Sequence, residues 1–83
     1  MEQSRIAQLG IIVEDLASAD EINRLLHEAS QYIVGRMGIP YRSRGISIIS
    51  VVMDGPQDII SAVSGKLGML PGVSVKTVYS TKV

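Results

Sequence analysis

The chain has 83 residues and contains no cysteine, no tryptophan and no phenylalanine. Without cysteine there is no disulfide, no thiolate metal ligand and no cysteine nucleophile. That composition fits a reducing compartment, and the expected location is cytoplasmic. Aromatics are confined to Tyr32, Tyr41 and Tyr79, so the core has to be aliphatic. An RNA-binding sheet, which stacks bases on aromatics of its central strands, is excluded. Charge of one sign is also missing, because eight basic residues balance eight acidic ones. A general binder of nucleic acid or of a membrane surface needs a net positive field. A near-zero net charge does little to discourage self-association. No apolar run approaches the ~20 residues of a membrane span, and the opening stretch MEQSRIAQLG has no signal-peptide layout. The expectation is a mature chain, residues 1–83, forming a single domain that meets no membrane.

What is present reads as alternating strand and helix. Arg5 to Glu14 (RIAQLGIIVE) is rich in β-branched residues and predicts a strand. Ile22, Leu25, Leu26, Ala29 and Ile33 then recur at helical spacing. Ser18 and Glu21 have the spacing of a capping box, so a helix is predicted from about Ala19 to about Val34, ending near Gly35. A short strand around Met37 to Tyr41 and a turn at RSRG precede the clearest strand, Gly45 to Met53. Gly55 as cap, Pro56 at the first helical position and Asp58 in the first turn open a second helix. Its buried face is expected at Ile59, Ile60, Val63 and Leu67, with Gly65 allowing close packing and Gly68 as its stop. A last strand alternates from Val73 to Ser80. The order β-α-β-β-α-β is the α+β, ferredoxin-like plan: a four-stranded antiparallel sheet with two helices on one face.

In this plan the face without helices ought to be polar, yet both faces carry large aliphatics. On the clear strand, Ile46, Ile48, Ser50 and Val52 point one way and Ser47, Ile49, Val51 and Met53 the other. On the first strand, Leu9, Ile11 and Val13 oppose Ile6, Gln8, Gly10 and Ile12. A contiguous apolar sheet face is unusual on a monomer. Ile6, Ile12, Ile49, Val51 and Met53 are therefore the candidate contacts of a homo-oligomer, dimer or tetramer. Ser74, Lys76 and Ser80 make the last strand more polar, so that coverage is partial.

No constellation for catalysis emerges. The stretch SGKLG (Ser64 to Gly68) fails as a phosphate loop, because Leu67 follows the lysine and Ile60 stands where the first glycine belongs. His27 is the only histidine, and Asn23, Arg24, Ser30 and Gln31 one turn away are not strong ligands, so no metal site is expected. No serine sits in a nucleophile elbow. The loop EDLASADE after the first strand has four acids and no base, which disfavours an anion at that helix start. The polar candidates that remain lie in GRMGIPYRSRG, residues 35–45. Arg36, Arg42 and Arg44 offer planar forks to carboxylate or phosphate, and Gly35 and Gly38 permit close backbone approach. Arg36, Gly38, Arg42 and Arg44 are the candidate ligand-binding residues. The plainer alternative is that these arginines solvate a hairpin or meet Glu14, Asp15 or Glu28 across a subunit contact.

The segments IIVED, EINRLLHEASQYIVGRM, GRMGIP, RGISIISVVMDG and SGKLGMLPGVSVK occur in that order. From about Arg5 to Val78 the chain resembles the iron-only hydrogenase system regulators. That family is similar in fold to ACT regulatory domains and to the C-terminal domain of the nickel-responsive repressor. The resemblance implies assembly through sheets and a regulatory role, in transcriptional control of an iron-only hydrogenase system. With one histidine and no cysteine the repressor's nickel site does not carry over, and no cofactor is expected. Few residues precede the first strand, so no direct DNA-binding arm is expected either. The loop EDLASADE lacks the glycine that ACT domains often use for amino acids. The function expected is a non-enzymatic, homo-oligomeric, ACT-like module that senses a small effector or binds a regulatory partner. The alternatives are an enzyme or maturation accessory acting at the glycine-arginine hairpin, or a purely structural interaction domain.

Overall fold

The computed structural model describes residues 3–82. Strand β1 (Ser4–Val13) leads through a short 3-10 turn into helix α1 (Ala19–Glu28). Strands β2 (Ile33–Tyr41) and β3 (Ile46–Pro56) form a hairpin, followed by helix α2 (Gln57–Gly68) and strand β4 (Val73–Tyr79). The four strands lie in the order β2-β3-β1-β4, all neighbours antiparallel, with both helices on one face. This is the α+β ferredoxin-like plan read from the sequence.

Helix α1 is shorter than its sequence pattern. Ile22, Leu25, Leu26 and Ala29 keep the buried stripe, but the helix stops at Glu28 and Ala29 leaves helical geometry at φ −98°, ψ 13°. A 3-10 turn over Ser30–Tyr32 then delivers the chain into β2. Ile33 continues the helical spacing by coincidence: it reaches the core from β2, opposite Met53. The run Tyr32-Ile33-Val34 favours a pleated, half-buried surface over a helix. The capping box does not form. The buried Ser18 hydroxyl donates instead to the carbonyl of Pro71 at 2.8 Å, Glu21 pairs with Arg24, and Asp15 accepts from the Ala17 amide in the preceding turn. Gly65 is exposed with open space around it, so close packing is not its role. Pro56 caps α2 as the last residue of β3, and Asp58 stands in the first turn.

The core is aliphatic. Leu9, Ile11 and Val13 of β1 and Ile49, Val51 and Met53 of β3 meet Ile22 and Leu26 of α1 and Ile60 and Leu67 of α2. The register pairs Ile11 with Ile49 and Leu9 with Val51, which puts both sets on the helix side. Ile49, Val51 and Met53 are thus corrected as interface candidates: they are sealed inside the protomer, and Val51 and Met53 are 0% exposed. Alternation alone shows two apolar sets per strand, and only the pairing register decides which set lies under the helices. Ile6 and Ile12 lie on the open face.

The helices cover only part of the sheet. The 11 residues of β3 extend ~36 Å at strand rise. The 12 residues of α2 extend ~18 Å. The overall dimensions of 44 × 20 × 17 Å reflect that difference. Beyond Ile33, every residue of β2 is exposed.

Two glycines adopt left-handed backbone, Gly45 at φ 66° and Gly72 at φ 68°. Gly45 closes the β2–β3 turn in open space, whereas a Cβ on Gly72 would lie 2.6 Å from the Asp15 amide nitrogen. The Gly72 carbonyl also accepts from the Glu14 amide at 2.7 Å, tying the turn before β4 to the end of β1. Gly45→Ala is expected to cost about 1–2 kcal/mol of backbone strain, and Gly72→Ala distinctly more, because overpacking of about 1–3 kcal/mol adds to the same strain. Urea midpoints of the two variants check the ordering. Met53→Ala is expected to lose about 2–5 kcal/mol in the same measurement, as a buried core position does.

Candidate functional site

Strand β2 carries Arg36 and Gly38, two of the four candidates, and a one-residue bulge decides where they point. Ile33 pairs with Met53 and Gly35 with Val52, leaving Val34 as the extra residue. From there Arg36 stands opposite Val51, Gly38 opposite Ile49 and Pro40 opposite Ser47, all on the helix side. Met37, Ile39 and Tyr41 stand opposite Ser50, Ile48 and Ile46 on the open side. Without the bulge the two sets would exchange faces.

On the helix side, β2 and α1 enclose a groove of about 280 Å³. Leu16, Ile22 and Ile49 give it apolar walls, Gly38 and Pro40 line it from β2, and Asn23 and Arg36 form its polar end. The guanidinium of Arg36 donates from Nη2 to Oδ1 of Asn23 at 3.1 Å. No aspartate or glutamate lines this groove. The Arg36–Asn23 pair also borders a second hollow, of about 320 Å³, which contains His27 and Ser30. His27 is exposed on the flank of α1.

The four ligand candidates therefore separate. Arg36 and Gly38 share the groove, while Arg42 and Arg44 sit in the 3-10 turn at the hairpin tip and do not line it. The arginines also differ in their partners. Arg24 is held by Glu21 and by Glu28, the latter at 2.6 Å, and Arg5 donates to Gln57 while covering the Tyr79 ring at 4.3 Å. Arg36 has only a neutral amide partner among the described residues. Sequence reasoning did not find α1's share of the site. Asn23 and Ile22 carry no motif, and only the antiparallel return of β2 beside α1 brings them to Arg36.

A third hollow, of about 280 Å³, lies between the helices and is lined by both Glu28 and Lys66. The lysine of SGKLG belongs there, in the last turn of α2. Among the described residues no group of three or more His, Cys, Asp or Glu could hold a metal ion, and no helix is long and apolar enough to cross a membrane.

The open sheet face carries the other candidate surface. Ile39, Ile48 and Ile12 pair in one row across β2, β3 and β1, with Tyr41 and Ile46 beside them and Met37 one row away. Ile39 is 48% exposed and Ile12 44%. Ser74 of β4 ends this row beside Ile12, and away from it the face is mixed: Gln8 donates to Ser50 at 2.9 Å and Lys76 is exposed, but Val52 and Val78 flank Gln8. Ile6 is exposed at the far end, paired with Asp54.

Residues 5–77 match the TM1266-like family, described as "Iron-only hydrogenase system regulator, putative". Among solved structures, the uncharacterized protein TM1266 from Thermotoga maritima superposes with a TM-score of 0.89 at 40% identity, over 93% of this chain and 98% of that one. A formyltetrahydrofolate deformylase from Pseudomonas putida KT2440 gives a TM-score of 0.64 at 15% identity, over 88% of this chain but 28% of that one. CPII, a nitrogen regulatory PII-like protein from Thiomonas intermedia K12 bound to ADP, AMP and bicarbonate, gives 0.52 at 17% identity, over 92% of this chain and 94% of that one. The last two share the fold alone. No curated protein matches.

Helix α1 has its own charge pairing, outside the lining of the groove. The hydrogen bond from Arg24 holds the Glu21 carboxyl below the usual carboxylate range. A lowered folded-state pKa stabilises above the unfolded value and loses that contribution as pH falls through the folded one. The pairing is thus complete at neutral pH and lost in acid below the ordinary carboxylate range. Arg24→Gln is expected to return Glu21 to that range, read by a side-chain NMR titration, with α1 still helical.

Proposed function

The chain belongs to the TM1266-like family of iron-only hydrogenase system regulators, and from that premise we propose that it is a non-enzymatic regulatory module, cytoplasmic and homo-oligomeric, that senses a small effector in control of the hydrogenase system. The observation that carries this reading is the exposed isoleucine row, Ile39–Ile48–Ile12, with Met37, Tyr41 and Ile46 around it. Contiguous apolar surface of this kind marks an interaction site. A second copy is the favoured occupant. The row is apolar across β2, β3 and β1 and carries no charge, so it can pair with its own copy, as a two-fold interface requires. Net charge is zero, so copies do not repel.

An enzymatic reading has less support. The β2–α1 groove offers one hydroxyl, Ser47, and one ionisable group, Arg36. A guanidinium cannot serve as a base, so nothing in the groove activates a nucleophile. Sensing without turnover asks only for a hollow and a matched charge, which the groove has.

Sedimentation velocity tests the assembly. The wild type is expected as a dimer or tetramer at micromolar concentration. The double variant Ile12→Glu, Ile48→Glu is expected as a monomer with unchanged circular dichroism. A monomeric wild type would remove the reading.

A further inference from the structure

The β2–α1 groove has a cation at one end, apolar walls and no acid in its lining, and it differs from the second hollow beside Arg36 in lacking that hollow's His27 and Ser30. We propose that it binds a small aliphatic carboxylate, its two oxygens on Arg36 and its hydrocarbon over Leu16, Ile22 and Ile49. This deepens the effector-sensing reading and rests on it, by naming the effector's chemical class.

The volume, about 280 Å³, lies just under the range of pockets that hold drug-sized ligands, so the occupant is small. Arg36 has five N–H donors in a planar fork. Asn23 takes one of them and still has its own amide hydrogens to offer beside the guanidinium. A carboxylate matches that fork with paired, charge-assisted bonds. An amino acid fits worse, because its ammonium would find no aspartate or glutamate in the lining. Phosphate fits worse too, since a single cation and an apolar floor leave most of its oxygens without donors. The space is left by the strand itself. Gly38 faces the helix side, and a Cβ placed there meets nothing within 4 Å.

The groove between the helices has charges of both signs, Glu28 and Lys66, and does not select one. Arg42 and Arg44 stand at the tip on an exposed turn and line none of the hollows found among the described residues.

The test is a titration of the full chain with sodium 3-methylbutanoate, followed by amide proton–nitrogen NMR. Saturable shifts are expected at Ala19, Asn23, Arg36 and Gly38. Arg36→Gln is expected to weaken binding on the order of tenfold or more, the loss of a charged hydrogen-bond partner. Gly38→Leu fills the groove from an exposed position and is expected to abolish the shifts with the fold intact. L-valine and inorganic phosphate are expected to give no saturable shift there. The proposal is overturned by an absence of saturable shifts with 3-methylbutanoate, by unchanged affinity in Arg36→Gln, or by equal binding of L-valine or phosphate. Sedimentation of the same samples separates the two readings. An oligomer that does not bind 3-methylbutanoate overturns the ligand class alone, whereas a monomer that binds it supports the groove and overturns the assembly.

Discussion

A residue of strand advances more than twice as far along its axis as a residue of helix, and that geometric mismatch governs the rest of this structure. Helices of 10 and 12 residues lie over strands of up to 11, so they roof only part of the sheet. The roofed part is a sealed aliphatic core. The unroofed part is β2 beyond Ile33, with the tip of the β2–β3 hairpin. Its helix side opens into the groove beside α1, and its other side presents the isoleucine row. The groove thus follows from a shortage of helix, and the isoleucine row is bare because both helices lie on the other face.

Strand β2 joins the two surfaces. Its residues alternate between them, with Arg36 and Gly38 toward the groove and Met37 and Ile39 toward the open face. In the proposed function a carboxylate in the groove and a second copy on the open face would each hold the same short stretch of backbone. A ligand shifts an equilibrium only through a difference in affinity between two states. An edge strand exposed from Val34 to Tyr41 and paired on one side only is a place where such a difference can arise.

Charge is distributed to match. The exposed outer side of α1 neutralises its own arginine through Glu21 and Glu28. Between Ala29 and Met53 there is no acid at all, so the hairpin's arginines find no nearby carboxylate in sequence. Arg36 is the one of them that the fold places at a hollow. The shared fold with the PII-like protein and the deformylase is a common frame only, and the residues that fill the groove are this chain's own.

Much of the architecture was legible in sequence. Both helices, the four strands, the hairpin and the aliphatic core follow from periodicity and turn chemistry, which are local. The two-faced hydrophobicity of β1 and β3 was legible too, and so was the arginine-glycine composition of the hairpin. Three matters required the folded chain. The register chose Ile49, Val51 and Met53 for the core rather than for the open face, because strands with aliphatics on both sides have no polar face to set the phase. The bulge at Val34 turned Arg36 and Gly38 toward α1, because one extra residue exchanges the faces of every residue after it. The end of α1 moved from Val34 to Glu28, because pairing of Ile33 with Met53 outweighed a helical spacing that Ile33 merely happened to satisfy. Composition and local pattern determine which elements form. Which side each residue faces is settled between strands distant in sequence, and in this protein that decides which residues form the groove and which the open face.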